Sequence, residues 1–237
     1  MRVFVSGDLR QIEWRCAAFL SQDPVMCAEI RAGECMHMNA LRDYFPKGTT
    51  KTYAKIFNFR AIFGGSAYAY YKDPKMPAFS QKVWYNILDA FWEKYAGLRK
   101  THIGWVQEVQ AKGKLKSPTG RLLKFKKYSS KDGSGDAYSK NQIYNYPVQS
   151  LAMDIISLAM TELRSIQRRE GWDAVMVNQI HDDILYNSIN KEANHVKDTM
   201  LSVYNSLPHL IKQRYGFTFN LPLTGECKIG PNWLDMT

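Results

Sequence analysis

The sequence predicts an α+β fold, with an antiparallel sheet carrying packed helices beside a mainly helical part, and three observations lead there. Apolar runs of strand length end in acidic turns near both ends of the 237-residue chain, at Val3-Phe4-Val5 before Ser6-Gly7-Asp8 and at 174–180 before His181-Asp182-Asp183. Long stretches between them repeat apolar residues at helical spacing. The late run and the one that follows it, Ile184-Leu185-Tyr186-Asn187, flank a short polar turn and read as two joined strands.

Each element follows in order. After the first strand, Ile12, Arg15, Cys16, Phe19 and Leu20 recur at helical spacing, and Asp23-Pro24 punctuates that helix before another over 24–44. Thr49-Thr50 offers a cap for a third helix, about 50–64, that stops at Gly64-Gly65. In it Lys51, Lys55, Phe59 and Phe63 fall every fourth residue, a step of about 400° that draws two cations and two rings into one stripe. An aromatic-rich helix is expected over 80–111. Then Lys112, Lys114, Lys116, Arg121, Lys124, Lys126 and Lys127 crowd a hairpin turned by Ser117-Pro118-Thr119-Gly120. The Ser- and Gly-rich stretch 129–139 reads as a mobile loop, and Asn145-Tyr146-Pro147 as a turn before a helix over 148–168. A last amphipathic helix covers 191–206, followed by a C-terminal strand.

Composition narrows the class. At 45% apolar residues the chain can bury an ordinary core, and its length fits one large domain or two closely joined ones. The 32 Lys and Arg against 22 Asp and Glu leave a net charge of +10, which points to a polyanionic partner. Cys16, Cys27, Cys35 and Cys227 form no C-x-x-C pair, so neither a disulfide framework nor a zinc site is indicated. No uninterrupted apolar stretch has the length of a membrane span, so no membrane role is expected and the setting reads as cytoplasmic.

Asp8 and the Asp182-Asp183 pair sit at the ends of different strands. If those strands are neighbours, the carboxylates converge, and Mg²⁺ takes such oxygens while leaving room for phosphates; two ions about 3.5–4 Å apart clamp an in-line phosphoryl displacement. A solvated acidic turn is the competing reading, against which stand the apolar residues on both sides, because acids lining a cleft need a cation. The Lys51/Lys55 stripe has its own two readings. It is either a solvated face with Phe59 and Phe63 in the core, or a place where phosphates meet the lysines and a base stacks on a ring.

These residues carry a resemblance. Asp8-Leu-Arg-Gln-Ile-Glu13-Trp-Arg15 resembles motif A (D-x-S-Q-I-E-x-R) of the family A, Pol I-like DNA polymerases; Lys51-x3-Lys55-x7-Phe63-Gly64 resembles motif B, and Val177-Asn-Gln-Ile-His181-Asp182-Asp183 motif C. His37 resembles the family's fingers histidine. Ser117-Pro-Thr-Gly120-Arg121 is similar to its T-x-x-G-R element, Asn145-Tyr-Pro-Val-Gln149-Ser-Leu-Ala-Met-Asp154 to N-x-P-x-Q-G-x-x-A-D, and Gly230-Pro-Asn-Trp233 to its G-x-N-W close. The wording from Asn58 to Tyr68 resembles phage members most.

The resemblance implies a polymerase palm at 1–22 and 111–237, and a helical fingers subdomain at 23–110. By it, Asp8 and Asp182 hold two Mg²⁺ ions with the Leu9 carbonyl as a further ligand and Asp183 assisting. Lys55 contacts the triphosphate and protonates the leaving pyrophosphate; His37, Lys51 and either Arg15 or Gln11 complete the cradle. Glu13 blocks a 2′-hydroxyl, Phe59 lies by the sugar 3′ position and Phe63 by the templating base. Arg121, Asn145, Gln149 and His181 meet DNA. The sequence departs from the family at Arg10 (usually Ser), Lys51 (usually Arg), Arg60 (commonly Gly) and Asn141 (often Arg). The family carries its thumb ahead of motif A, so the thumb is expected to be absent here. That makes the chain the catalytic half of a template-directed DNA polymerase, with primer-template DNA and dNTPs as partners and a second polypeptide supplying the thumb and any exonuclease. A non-catalytic nucleic-acid-binding subunit or polymerase remnant is the alternative; a single-subunit RNA polymerase is opposed by Glu13.

Overall fold

The computed structural model describes residues 1–129 and 136–232. In order its elements are β1 (Arg2–Leu9), α1 (Ile12–Ser21), α2 (Pro24–Arg31), α3 (Met36–Asp43), α4 (Lys51–Ile62), α5 (Ala67–Lys72), α6 (Gln81–Lys94) and α7 (Ala96–Lys112). There follow β2 (Lys114–Lys116), β3 (Leu122–Lys124), β4 (Lys127–Ser129), β5 (Asp136–Tyr138), α8 (Lys140–Glu170), β6 (Val175–Ile180), β7 (Asp183–Ile189), α9 (Ala193–Tyr215) and β8 (Gly225–Gly230). The mixed helix and antiparallel sheet class is as expected. The chain forms two compact units, one of Met1–Glu13 with Ser150–Thr237 and one of Trp14–Gln149. Among the described residues no helix is long and apolar enough to cross a membrane.

The first unit is built on a sheet of order β6-β7-β1-β8, antiparallel throughout. Its central strand β1 buries Val3, Val5 and Leu9, and α9 turns Val196, Met200, Val203, Tyr204, Leu207 and Ile211 inward at helical spacing. Each such side chain taken from water stabilises the packing by about 1.5–3 kcal/mol. The contact is close. A Cβ on Gly7 would run into Met200 and lie 2.8 Å from the Tyr204 hydroxyl, which donates a 2.7 Å hydrogen bond to the Gly7 carbonyl. A Cβ on Gly225 would run into the same ring.

Five expectations need correction. The helix over 191–206 continues to Tyr215 through Pro208, because Leu207 and Ile211 stay buried on either side of the proline, and it ends at Gly216 with φ 81°. The turn at Asn145-Tyr146-Pro147 is likewise helix interior. Helix α8 starts earlier, where the Ser139 hydroxyl accepts from the Gln142 N–H at 3.4 Å, and buried Ile143 and Val148 bracket Pro147. The span 24–44 is two helices, parted around Gly33 (φ 70°), and 80–111 is two, parted at Tyr95. The ends of the expected loop 129–139 pair as β4 and β5; its residues 130–135, like Trp233, lie outside the described residues.

The second unit has an aromatic core. Phe57 of α4 is fully buried, with ring centroids 5.0 Å from Tyr70, 5.3 Å from Phe45, 5.6 Å from Phe91 and 5.8 Å from Tyr44. Asp23 pins two helix starts at once: one oxygen accepts from the N–H groups of Val25 and Met26, the other from those of Gly97 and Leu98. A smaller cluster of Val109, Leu115, Leu123, Phe125 and Ile143 fastens the basic hairpin β2–β3 to α7 and α8.

Candidate active site

In the first unit the sheet register decides which acids meet. Asp8, the last polar residue of β1, faces Asp183 on β7 and Glu226 on β8, while the two-residue turn His181-Asp182 brings Asp182 beside it. The Leu9 N–H donates to the Asp182 carbonyl at 3.3 Å, which ties that turn to β1. Partial burial pushes the Asp8 carboxyl up to about 7, helped by the Asp182 charge, a hydrogen bond shared with Asp182, and the Asp183 and Glu226 charges. Asp8 therefore holds a proton that an isolated carboxyl would have lost.

Asp183 is engaged differently. Its two oxygens accept from the Ser6 hydroxyl at 2.7 and 2.8 Å. Arg10 forms an ion pair with Glu226, and the Gln179 amide donates to the His181 carbonyl. Two of the non-glycine residues with positive φ flank the acids, Gln11 at 54° and His181 at 53°. Such backbone costs about 1–3 kcal/mol per residue and gathers where side chains must be aimed. Glu13 is partly buried in the first turn of α1. Among the described residues no group of three or more His, Cys, Asp or Glu is gathered closely enough to hold a metal. What the sheet offers is Asp8 with Asp182 beside it and hydrogen-bonded to it.

In the second unit α4 presents the expected stripe, with Lys51 and Lys55 exposed, and Phe59 and Phe63 half-buried. The opposite face, Ala54, Phe57, Asn58, Ala61 and Ile62, is the buried one, so the two rings of the stripe are not core. His37 of α3 joins the stripe, its ring 5.9 Å from that of Phe59. Burial, then the charges of Lys55 and Lys51, lower His37 to about 4, so it is neutral at pH 7. Arg60 turns to Asp73 at 2.6 Å. Gly64 closes the helix with φ 87°, where a Cβ would lie 2.9 Å from Tyr144 and 3.0 Å from Asn141.

Of the DNA-directed residues, Asn145 and Gln149 stand one turn apart on α8, and Arg121 is exposed where the Ser117 N–H donates to its carbonyl across the β2–β3 turn. His181 belongs to the first unit. Sequence reasoning missed Tyr204 and Glu226, which lie under and beside Asp8, and Asn58 and Tyr44 behind His37. Only the inward position of Asn58 on an otherwise apolar helix face could have flagged one of them.

Comparison with known proteins agrees with this architecture. Residues 1–235 match the model of DNA polymerase family A. The chain is 27% identical over 239 residues to DNA polymerase I of Aquifex aeolicus, spanning 97% of this chain and 39% of that protein. It is 23% identical over 236 residues to DNA polymerase I of Bacillus caldotenax, spanning 97% and 26%. The chain thus spans about a quarter to two fifths of the length of these relatives. Its fold is similar to that of the POL domain of Pol1 from M. smegmatis, solved in complex with DNA primer-template and dNTP, with a TM-score of 0.81 and 20% identity over 98% of this chain and 40% of that one. The two facing strand ends, the cationic helix and the family match over nearly every residue agree, and the chain belongs to DNA polymerase family A.

Proposed function

We propose that the chain is the catalytic part of a template-directed DNA polymerase that adds dNTPs to a primer 3′ end by two-metal phosphoryl transfer. The observation that supports it most is the Asp8–Asp182 pair, in which partial burial and then the Asp182 charge keep a proton on Asp8 near pH 7. A divalent cation relieves such a pair, and Mg²⁺ commonly uses one or two carboxylates, its remaining positions going to water and substrate phosphates. The donor set therefore fits. Asp8, Asp182 and the Leu9 carbonyl would hold the ions, with Asp183, anchored by Ser6, at their side; the ions would neutralise charge on the attacking and leaving oxygens.

The protein's own groups do the rest. Lys51 and Lys55 draw the triphosphate to α4, with Gln11 and His37, and Lys55 gives a proton to the departing pyrophosphate. Glu13 fills the volume a 2′-hydroxyl needs. Phe59 lies beside the 3′ position and Phe63 by the template base. Asn145, Gln149 and His181 reach acceptors common to correct pairs on the minor-groove side, and Arg121 also meets DNA. The palm would comprise 1–22 and 111–237 and the fingers 23–110. A second polypeptide carrying the thumb and any exonuclease completes the proposal.

Primer extension by Asp8→Ala and Asp182→Ala tests it. Each variant is expected to keep its fold and DNA binding yet lose at least about a thousandfold in rate, roughly 4 kcal/mol. Extension within about tenfold of wild type overturns the metal assignment. A wild-type chain that binds primer-template but extends nothing with Mg²⁺, even when supplied with a thumb-bearing partner, supports the non-catalytic reading.

A further inference from the structure

Asn58 is a fully buried amide in the middle of α4, on the face opposite the lysines, and its hydrogen bonds leave its orientation no choice. Its oxygen accepts from the Tyr44 hydroxyl at 2.9 Å. Its nitrogen gives one hydrogen to the Met36 carbonyl at 3.1 Å, a group that can only accept. The second hydrogen of the same nitrogen points at His37 Nδ1, 3.2 Å away. A donor faces that ring atom, so Nδ1 must be the acceptor, and the single proton of the neutral imidazole sits on Nε2.

We infer that Asn58 is a positioning residue that fixes His37 as the neutral Nε2–H tautomer, so that the imidazole meets a phosphate-bearing substrate as a hydrogen-bond donor beside Lys51 and Lys55. This rests on the reading of the α4 face as the triphosphate site. A cationic His37 would set an Nδ1–H against the amide N–H, so the same contact opposes protonation. The low value of His37, due first to burial and then to Lys55 and Lys51, agrees. The Tyr44 phenol is held in its donor form by burial and by the charges of Glu29 and Asp43. The consequence is a division of labour. The two lysines supply charge, while a buried neutral donor supplies direction, and its direction is set from behind by an amide that never touches substrate. Among the described residues Nε2 itself has no hydrogen-bond partner.

The test is the ring ¹⁵N spectrum of His37 in the labelled full chain at pH 7, assigned with His37→Gln and followed as inorganic tripolyphosphate is added. Nε2–H with a bare Nδ1 is expected, and the Nε2 signal should move with tripolyphosphate. An Nδ1–H tautomer or an imidazolium in the wild type overturns the role of Asn58 whatever the phosphate does. An Nε2–H ring indifferent to tripolyphosphate overturns the reading of α4 and the part of the inference built on it. Asn58→Asp places an acceptor where the amide nitrogen stood. In the folded variant His37 is expected to gain a proton at Nδ1, and KM for dNTP to rise by about tenfold with kcat changed far less. An unchanged tautomer in that folded variant also overturns the inference; if the variant does not fold, the wild-type spectrum decides alone.

Discussion

On the sheet, Asp8 has Asp182, Asp183 and Glu226 as its charged neighbours, Asp183 and Glu226 being set opposite it by the register. On α4 the like charges, Lys51 and Lys55, stand in water, and the group taken out of water, His37, is neutral. Both arrangements gather polar groups, yet they handle charge in opposite ways. The ladder of β1, β7 and β8 spends backbone hydrogen bonds on holding acids together and leaves the repulsion in place. The helix solvates its charges and saturates its buried polar atoms through Asn58 and Tyr44. A site of the first kind is completed by a cation and one of the second kind by an anion.

The sheet half is the easier to break. Gly7→Ala drives a methyl into Met200 and the Tyr204 hydroxyl, and overpacking of that sort costs typically about 1–3 kcal/mol; with a hydrogen-bonded tyrosine as the obstacle the upper end is expected. Urea unfolding measures it, and an undiminished midpoint would show that α9 can slide off β1 freely.

A smaller effect separates the two regions by pH. His37 is lowered from 6.5 to about 4 in the folded chain, so the stability it contributes is full above 6.5 and is lost as pH falls through 4. Asp8 is raised from 3.8 to about 7, so its contribution is full below 3.8 and is lost as pH rises through 7. His37→Gln should therefore flatten the acid side of the stability profile. Asp8→Asn should flatten the neutral side, stabilising the metal-free chain at pH 8 by about 1 kcal/mol once solvent screening of a partly exposed carboxyl is allowed for. Thermal midpoints between pH 4 and 8 give both slopes. Parallel profiles for wild type and Asp8→Asn would remove the electrostatic argument for the sheet.

Much of this was legible in the sequence, and the parts that were not share a cause. Strands β1, β6 and β7 and the stripe on α4 announce themselves by local pattern, as do the acids at the strand ends. Pro147 misled, because it carries turn chemistry locally while Ile143 and Val148 on either side of it are buried, and burial decides. The break between α6 and α7 comes from a partner far along the chain: Asp23 approaches Gly97 so closely that a Cβ there would stand 2.9 Å from its Cα. The contacts behind the site hide for the same reason. Tyr204 reaches Gly7 across most of the chain, and Asn58 meets Tyr44 and His37 from another helix, so no spacing rule connects them.

The central claim is that partial burial on the sheet, with Asp182 beside it, makes Asp8 keep a proton until a cation arrives. The carboxyl ¹³C signal of Asp8, followed against pH with and without Mg²⁺, tests it directly. A midpoint near 7 in the metal-free chain that falls well below the usual carboxylate range when Mg²⁺ is added is the expected result. A midpoint near the ordinary 3.8 that Mg²⁺ leaves in place would contradict the account.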